Sequence, residues 1–421
     1  RQMCIRDRNN IPQGYKATAL GIIPQEWEMK TLGQIANVFS GTTPSRENEL
    51  FFNDGTIPWV KTTDLNNGIL THTEERITDI ALKSTTLKVF SKGTVLIAMY
   101  GGFNQIGRTS ILGIDATINQ ALSALILNTK EITEYFLLYW LLYRVNKWKR
   151  YAASSRKDPN ITKTDVTRFP ILVPPLAEQR KIAEVLGVWD EAIEKQARLI
   201  EKLALRKRAL MQRLLSAKLR LPGFSEPWKK VNYSDILKEV RRTLTWDENE
   251  LYDLISVRRR SGGVFHRESL YGHEIKTKTL RPALEGDFLI SKMQIVHGAS
   301  GVVPKQLSGM KISGSYIALI AKDPKELNIN YFNLWSQMPL FYHQTFVSSY
   351  GVHIEKMTFD LDAFMSLSMN LPPIEEQNKI VEVISTATNE IELAKEKLER
   401  LRRQKRGLMQ QLLTGKKRVK Y

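Results

Sequence analysis

The sequence contains few combinations of residues that could carry out catalysis. Asp323-Pro324-Lys325 has the acid-x-Lys spacing of a nuclease site, but such triplets are common. No serine or cysteine nucleophile constellation is evident, and the histidines show no spacing with cysteine or acids that fits a metal site. The histidines are His72, His266, His273, His297, His343 and His353. The sequence therefore predicts a protein with no catalytic residues, no metal and no cofactor of its own.

Two motifs for nucleotide or base chemistry are incomplete. Gly415-Lys416-Lys417 lacks the first glycine and the hydroxyl residue of a phosphate-binding G-x-x-x-x-G-K-[S/T] loop. Val173-Pro174-Pro175-Leu176 and Leu371-Pro372-Pro373-Ile374 can be compared with the Asn/Asp-Pro-Pro-aromatic motif of base-amino methyltransferases. Neither has the amide or carboxylate that holds the amino group, or the aromatic ring that stacks on a flipped base. The proline pairs must therefore have a different role.

Polar and basic residues in predicted loops could instead read DNA. Specific recognition needs phosphate contacts for position and Arg, Asn, Gln or Ser side chains that reach base edges. The candidates in the first half are Lys61, Thr62, Thr63, Asn104, Gln105, Arg108, Arg156 and Lys157. Those in the second half are Arg258, Arg259, Arg260, Lys292, Gln294, His297, Tyr350 and His353.

The run Arg258-Arg259-Arg260, followed by Ser261 and two glycines, is the strongest of these candidates. It would place three bidentate donors on a loop thin enough to enter a DNA groove. A solvated β-turn is the alternative interpretation. For every other single candidate, an ordinary surface position is the simpler interpretation.

The elements that must position these loops occur twice. Pro174-Pro175-Leu176-Ala177-Glu178-Gln179 recurs 198 residues later as Pro372-Pro373-Ile374-Glu375-Glu376-Gln377. The match then continues without a gap to Lys218 and Lys416, and 20 of the 45 paired positions are identical. An ungapped match of this length indicates an internal duplication.

The segment before each repeated motif is predicted to be mixed α/β. Residues 93–99 and 121–127 are apolar runs typical of strands, and residues 134–148 have Leu, Tyr and Trp at helical spacing. Short helices are predicted at residues 32–38 and, in the second half, at residues 233–240. We therefore predict two copies of one α/β (α+β) fold with different loops.

Both repeated motifs open a long helix with a coiled-coil pattern. Apolar residues recur at alternating steps of four and three for more than four heptads, which specifies a coiled coil. We expect the first helix to span about residues 176–216, and Glu178 and Glu376 to suit the helix dipole. A long helix packed on a globular core is the alternative. The seam positions are Ile182, Leu186, Trp189, Ile193, Gln196, Ile200, Leu203, Lys207, Leu210 and Leu214, and Ile380, Ile384, Ala387, Ile391, Ala394, Leu398, Leu401, Lys405, Leu408 and Leu412.

Most of the excess positive charge lies on these two helices. The chain has 62 basic and 44 acidic residues, a formal charge of +18. Residues 198–220 hold eight basic residues and one acidic residue, and residues 395–421 hold eleven and two. Some cations suit a helix C-terminus, but this many favour a phosphate-bearing or acidic partner. The helix residues predicted to face phosphate or a partner are Lys207, Arg208, Gln212, Lys405, Arg406 and Gln410.

The remaining composition points to the cytoplasm. Cys4 is the only cysteine, so no disulfide framework can form and a reducing compartment fits. The longest apolar run, from Tyr135 to Tyr143, is too short to span a bilayer. Residues 1–14 have no counterpart in the second half, and we interpret them as a leader outside the domains with a truncated or spurious start.

Taken together, these motifs resemble the specificity subunits of type I restriction–modification systems. The resemblance covers nearly the whole chain from Tyr15. It depends on the stretch Ile23-Pro24-Gln25-Glu26-Trp27, on Pro58-Trp59-Val60-Lys61 and on Gly286-Asp287-Phe288-Leu289-Ile290-Ser291. It depends most on the repeated Pro-Pro-x-x-Glu-Gln-x-x-Ile helix that ends in Leu-Met-Gln-x-Leu-Leu.

The resemblance implies two tandem target recognition domains, at residues 15–168 and 223–367. Residues 169–222 and 368–421 would form two spacer helices, packed as an antiparallel coiled coil with a pseudo-twofold repeat. Each domain would read one half of a bipartite DNA site. Two copies of a modification (methyltransferase) subunit and the restriction (translocase-nuclease) subunits would dock on this chain. S-adenosylmethionine, ATP and Mg²⁺ would belong to those partners.

Two other functions stay open at this point. One is a coiled-coil adaptor that binds only proteins and whose affinity for DNA would show no sequence preference. The other is a self-contained methyltransferase or nuclease. The helix length is compatible with a spacer, because paired DNA readers sit about 34–36 Å apart and a helix of this length extends roughly 60 Å.

Overall fold

The computed structural model describes residues 11–102, 104–152 and 160–420, without the side chains of residues 149–152. The chain divides into two compact units. Unit 1 contains the residues up to Ala197 and those from Glu396 onward, and unit 2 contains Arg198–Lys395. Each long helix therefore contributes one part to each unit.

Unit 1 is built on a five-stranded sheet with the order β4-β11-β8-β9-β6, in which only the β6–β9 pairing is parallel. A second sheet has the order β10-β5-β7. The strands are β1 Tyr15–Thr18, β2 Gly21–Pro24, β3 Glu28–Thr31, β4 Ala36–Ser40, β5 Ile57–Val60, β6 Ile69–Leu70, β7 Glu75–Ile77, β8 Val95–Ala98, β9 Thr109–Leu112, β10 Thr117–Ile118, β11 Leu122–Leu127 and β12 Pro170–Val173. The helices are α1 Leu32–Ile35, α2 Asp79–Ser84, α3 Glu134–Tyr143, α4 Val145–Ala152, α5 Lys163–Arg168 and α6 Leu176–Leu214.

Unit 2 has two four-stranded sheets, β14-β21-β18-β19 and β16-β15-β20-β17. Its strands are β13 Lys229–Asn232, β14 Leu237–Glu239, β15 Leu251–Val257, β16 Val264–Tyr271, β17 Arg281–Pro282, β18 Phe288–Ser291, β19 Ser300–Val302, β20 Lys311–Ile312, β21 Tyr316–Ala321, β22 Ser349–Tyr350, β23 Thr358–Phe359 and β24 Ser368–Leu371. Its helices are α7 Tyr233–Ile236, α8 Ile329–Trp335, α9 Pro339–Val347, α10 Leu361–Met365 and α11 Ile374–Leu412.

Three predicted helices are shorter than expected. Residues 32–38 and 233–240 form only one helical turn each, because the residues that follow pair with β11 and β21. This pairing overrides the local helical pattern. The helix predicted at residues 134–148 is divided into α3 and α4 at Arg144, whose ψ of 9° is not helical. In α3, Phe136 to Leu141 are all buried, so the helix lies within the core.

The long helices match their prediction closely. Both α6 and α11 have 39 residues and follow a two-stranded antiparallel pairing, β3–β12 and β13–β24 respectively. No described helix is both long and apolar enough to cross a bilayer.

Within each unit the two helical segments run antiparallel. In unit 1, Asp190 pairs with Lys405 and Glu178 pairs with Arg418, so the partner's number rises as the α6 number falls. In unit 2, Arg206 pairs with Glu390 and Arg220 with Glu376, in the same sense. The predicted seam positions are all buried or partly buried. Ile182, Leu186 and Leu412 belong to the core of unit 1, and Leu214, Ile380 and Ile384 belong to the core of unit 2.

The glutamate of the repeated motif holds each unit together at the start of the long helix. Glu178 is fully buried and accepts hydrogen bonds from Trp27 Nε1 (2.9 Å) and from Arg418 Nε (2.6 Å) and Nη2 (2.9 Å). In unit 2, Glu376 is 1 % exposed and accepts from Trp228 Nε1 (2.9 Å) and twice from Arg220. The interpretation of these two residues as helix-dipole partners therefore misses their main contacts.

The glutamine that follows ties the helix start to a neighbouring loop. Gln179 Nε2 donates to the carbonyls of Glu131 (2.7 Å) and Pro174 (2.8 Å), and its Oε1 accepts from the Thr133 backbone N–H. Gln377 makes the same three contacts, with the Glu326 and Pro372 carbonyls and the Asn328 N–H. A buried amide with all these groups paired is a specific structural link, since each lost partner would leave a buried polar group unsatisfied.

Candidate nucleic-acid interface

In unit 1, two polar loops lie side by side. Residues 61–68 follow β5, and the described residues 99–102 and 104–108 lie between β8 and β9. The Asn66 backbone N–H donates to Ser110 Oγ (3.0 Å) and Asn67 Oδ1 accepts from the Thr109 N–H (3.3 Å), which ties the first loop to the start of β9. The second loop ends directly before β9, and a Cβ placed on its Gly101 would lie 3.6 Å from Thr62 Oγ1 of the first loop. We call these two loops the first loop cluster. The structure thus brings together two of the three loop segments that were proposed for this half.

Lys61 of the first loop cluster is already neutralised by acidic residues. Its ammonium lies 2.6 Å from Glu75 Oε1 and 2.8 Å from Glu74 Oε2, and only 19 % of the side chain is exposed. These hydrogen bonds raise the pKa of Lys61, while Arg46, followed by Lys61, lowers the pKa of Glu75. Lys61 is therefore placed to hold the loop more than to offer a free cation to phosphate.

The other candidates in this half are more accessible. Thr63 and Asn104 are exposed, and Thr62 is partly exposed. Arg108 Nη1 donates to Gln105 Oε1 (3.0 Å), so these two side chains present their remaining polar groups together. Arg156 and Lys157 lie outside the described residues.

In unit 2 the three arginines occupy the β15–β16 hairpin turn, residues 258–263, which we call the arginine turn. Arg260 and Ser261 have positive φ angles of 57° and 53°. Their backbone N–H groups donate to the carbonyls of His297 (2.7 Å) and Gly298 (2.8 Å). The turn is therefore held against a second loop in a conformation that non-glycine residues adopt only at a cost.

The three arginine side chains have different surroundings, although all are exposed. The Arg258 guanidinium lies over the Phe265 ring, 4.0 Å from its centroid. Arg259 Nη2 donates to Glu355 Oε2 (2.8 Å), and both side chains of that pair are at least half exposed. Such exposed pairs contribute little stability, so Arg259 can exchange Glu355 for a stronger acceptor at small cost.

Two further loops complete this surface. Glu355 Oε1 also lies 3.2 Å from His297 Nε2, and the Lys292 carbonyl accepts from the Phe359 N–H (3.0 Å). The arginine turn, residues 292–298 and residues 350–356 therefore form the second loop cluster. These three segments contain every DNA-binding candidate of the second half. Tyr350 and His353 are exposed, and Lys292, Gln294 and His297 are partly exposed.

The candidates on the long helices separate into two groups. Lys405 is bonded to Asp190 and lies 4.9 Å over the Tyr139 ring, so its charge is balanced within unit 1. Arg406 and Gln410 are exposed. Lys207, Arg208 and Gln212 line a cavity in unit 2 together with Arg260 of the arginine turn. The position of Arg260 relative to the helix was not evident from the sequence.

No group of three or more His, Cys, Asp or Glu side chains within the described ranges is arranged to hold a metal ion. The features that remain are a duplicated fold, two buried helix-start links and a cluster of different polar loops in each unit. Together they define a tandem-repeat protein, in which one framework carries two different polar loop clusters.

Comparison with known proteins identifies the family. The family model of the type I restriction modification DNA specificity domain matches residues 24–204 and 225–403. The chain is 24 % identical over 440 aligned positions to the putative type I restriction enzyme MjaX specificity subunit of Methanocaldococcus jannaschii, covering 97 % of both chains. It is 30 % identical over 197 residues to the MjaIX specificity subunit of that organism, covering 45 % of each.

A solved chain shares the fold over nearly its full length. It comes from a structure described as the basis of complex assembly and conformational transition of the type I R-M system. The TM-score is 0.62 at 17 % identity, with 93 % of this chain and 99 % of that chain covered. This protein belongs to the type I restriction modification DNA specificity family, as its repeated helix motif suggested.

Proposed function

We propose that this protein is the sequence-reading subunit of a type I restriction–modification complex in the cytoplasm, with no catalytic activity of its own. Each loop cluster would contact the bases of one half of a bipartite DNA site. The observation that carries this proposal is the duplication: matching frameworks present different polar loops. Two identical readers would be expected to carry the same loops.

The catalytic chemistry would reside in partner subunits. Two modification subunits, one for each repeat, would bind S-adenosylmethionine and transfer the methyl group. Restriction subunits would use ATP and Mg²⁺. The internal repeat supports two modification subunits, because a repeated surface offers two equivalent docking sites.

A reconstitution experiment separates this proposal from an enzyme. The purified chain, incubated with S-adenosylmethionine, Mg²⁺ and DNA, should neither methylate nor cleave. Addition of the modification subunit should produce methylation at one defined bipartite sequence. Methyl transfer or cleavage by the chain alone would contradict the proposal, and binding without sequence preference in the complex would favour a coiled-coil adaptor.

Arginine-turn variants test whether each unit reads its own half-site. Arg258→Ala and Arg259→Ala should each weaken discrimination by about 1–3 kcal/mol at positions within one half-site only, because a bidentate contact to a base is worth that much. Competition binding with single-base substitutions in both half-sites measures the effect. Arg241→Ala is the matched control, since Arg241 is an exposed arginine of the same unit outside the loop cluster. Equal loss in both halves would argue against separate readers.

A further inference from the structure

A cavity of about 450 Å³ lies in unit 2 between the C-terminal part of α6, the arginine turn and the start of α9. Lys207, Arg208 and Gln212 line it from the helix, and Arg260 and Ser261 line it from the turn. Ser261 Oγ is hydrogen-bonded to Tyr342 Oη (2.8 Å), which fixes the far wall. The cavity therefore has polar groups on several sides and is built by elements far apart in sequence.

The cavity carries positive charge that the described part of unit 2 does not balance. None of its lining residues is acidic, and Lys207, Arg208 and Arg260 make no side-chain ion pair with any described residue. Glu392 attracts Lys207 electrostatically, but Glu392 is itself paired with Lys395 at 2.8 Å. Three cations that converge on one space repel each other unless an anion joins them.

Burial makes this arrangement more costly for Lys207. Desolvation lowers the pKa of Lys207, the attraction of Glu392 offsets part of that change, and Lys395 adds to the lowering. A half-buried ammonium with a lowered pKa gains more from a bound anion than an exposed one does, because the interaction is less screened by solvent.

The repeat shows that this charge is not simply a property of the helix motif. Lys405 occupies the same repeat position as Lys207, 198 residues later. There, Asp190 supplies the balancing carboxylate. The position equivalent to Asp190 in the second repeat is Thr388, which has no charge. The lysine at this repeat position is therefore paired with a carboxylate in unit 1, whereas in unit 2 the equivalent pairing partner is an uncharged threonine.

The chemistry of the lining favours a phosphodiester. Guanidinium groups bind phosphate through paired N–H donors, and an ammonium and an amide supply further donors. Arg260 also belongs to the turn that carries Arg258 and Arg259. If the bases of a DNA strand contact Arg258 and Arg259, the sugar–phosphate backbone of that strand would lie next to the cavity.

We propose that this cavity binds a backbone phosphate of the DNA half-site contacted by unit 2, through Lys207, Arg208 and Arg260. The inference depends on the proposed function and adds a division of labour within the arginine turn. Arg258 and Arg259 face the bases, whereas Arg260 and the helix hold the strand in register. Phosphate contacts of this kind position a protein without carrying sequence information.

Salt dependence of DNA binding tests the proposal. The complex with its modification subunit is titrated with cognate DNA at several salt concentrations. Lys207→Ala should lower the slope of log K against log salt by about 0.9, the value for one phosphate contact, and weaken binding uniformly across sequences. Arg213→Ala is the matched control, because Arg213 is an exposed cation of the same helix that does not line the cavity. An unchanged slope for Lys207→Ala would overturn the proposal.

Neutral methylphosphonates identify the contact directly. Substituted one at a time along the half-site, they should weaken wild-type binding at one position where Lys207→Ala shows no further loss. If inorganic phosphate stabilises the free protein through Lys207 while the DNA slope is unchanged, the site belongs to a free anion and the DNA assignment is wrong. Absence of any sequence preference in the wild-type complex would instead contradict the proposed function.

Discussion

Arg418→Ala is expected to destabilise unit 1 by about 3–5 kcal/mol, because it leaves a buried carboxylate without its cation. Glu178 is 0 % exposed and receives two of its three side-chain hydrogen bonds from Arg418. After the substitution only Trp27 would remain as a donor. Arg418 therefore contributes to the stability of unit 1, although it lies 240 residues from Glu178 in the sequence.

Hydrogen exchange can localise this effect. The start of α6 should exchange faster in Arg418→Ala, whereas the start of α11 in unit 2 should keep its protection, because Glu376 retains Arg220. Glu26→Ala is the control, since Glu26 is a second partner of Arg418 but is 61 % exposed. Glu26→Ala should lower the free energy of unfolding by less than about 1 kcal/mol. Similar destabilisation by both variants would show that burial of Glu178 is not the cause.

Lengthening both helices by one heptad is expected to lengthen the DNA spacer between the two half-sites. Seven residues inserted in α6 after Ala197 and in α11 after Lys395 would keep the apolar seam in phase. They would add about 10 Å of helix, which corresponds to about three base pairs at roughly 3.4 Å each. We expect the DNA between the two half-sites, which the protein does not recognise, to become longer by this amount while both half-site sequences stay the same. Affinity for the original site should fall towards non-specific binding, by about 10³-fold or more.

The control for this experiment is a heptad inserted in only one helix. It would displace one side of the seam relative to the other and should reduce stability without defining a new spacer. Selection of bound sequences from a random library measures the preferred spacing. If the protein with both insertions is stable and the DNA spacer is unchanged, the length of the helices does not set the distance between the half-sites.

The long helices could be predicted from sequence because their information is local and repeated. The heptad pattern and the Pro-Pro start define α6 to within two residues at each end, and α11 begins and ends at the equivalent positions of the second repeat. The roles of Glu178 and Glu376 could not be read from the same pattern, because their arginine partners lie far away in sequence. A signal was present, however: Arg220 and Arg418 are separated by the same 198 residues as the glutamates.

The loop residues were harder to interpret for the same physical reason. Lys61 looks like a free cation in the sequence, and only the fold brings Glu75 to its side. The arginine turn was correctly located as a loop, but its contact with residues 292–298 depends on tertiary structure. The difference between Lys207 and Lys405 could have been noticed from Asp190 and Thr388, once the antiparallel pairing of the helices was known.

The central claim, one half-site for each unit, is tested most directly by methylation mapping at base resolution. Cells expressing this chain with its modification subunit are compared with cells in which residues 258–263 carry a different loop. We predict a site of two short defined sequences separated by an unread spacer, with the loop variant altering one of the two and leaving the other intact. A contiguous site, or a change in both halves, would contradict the account.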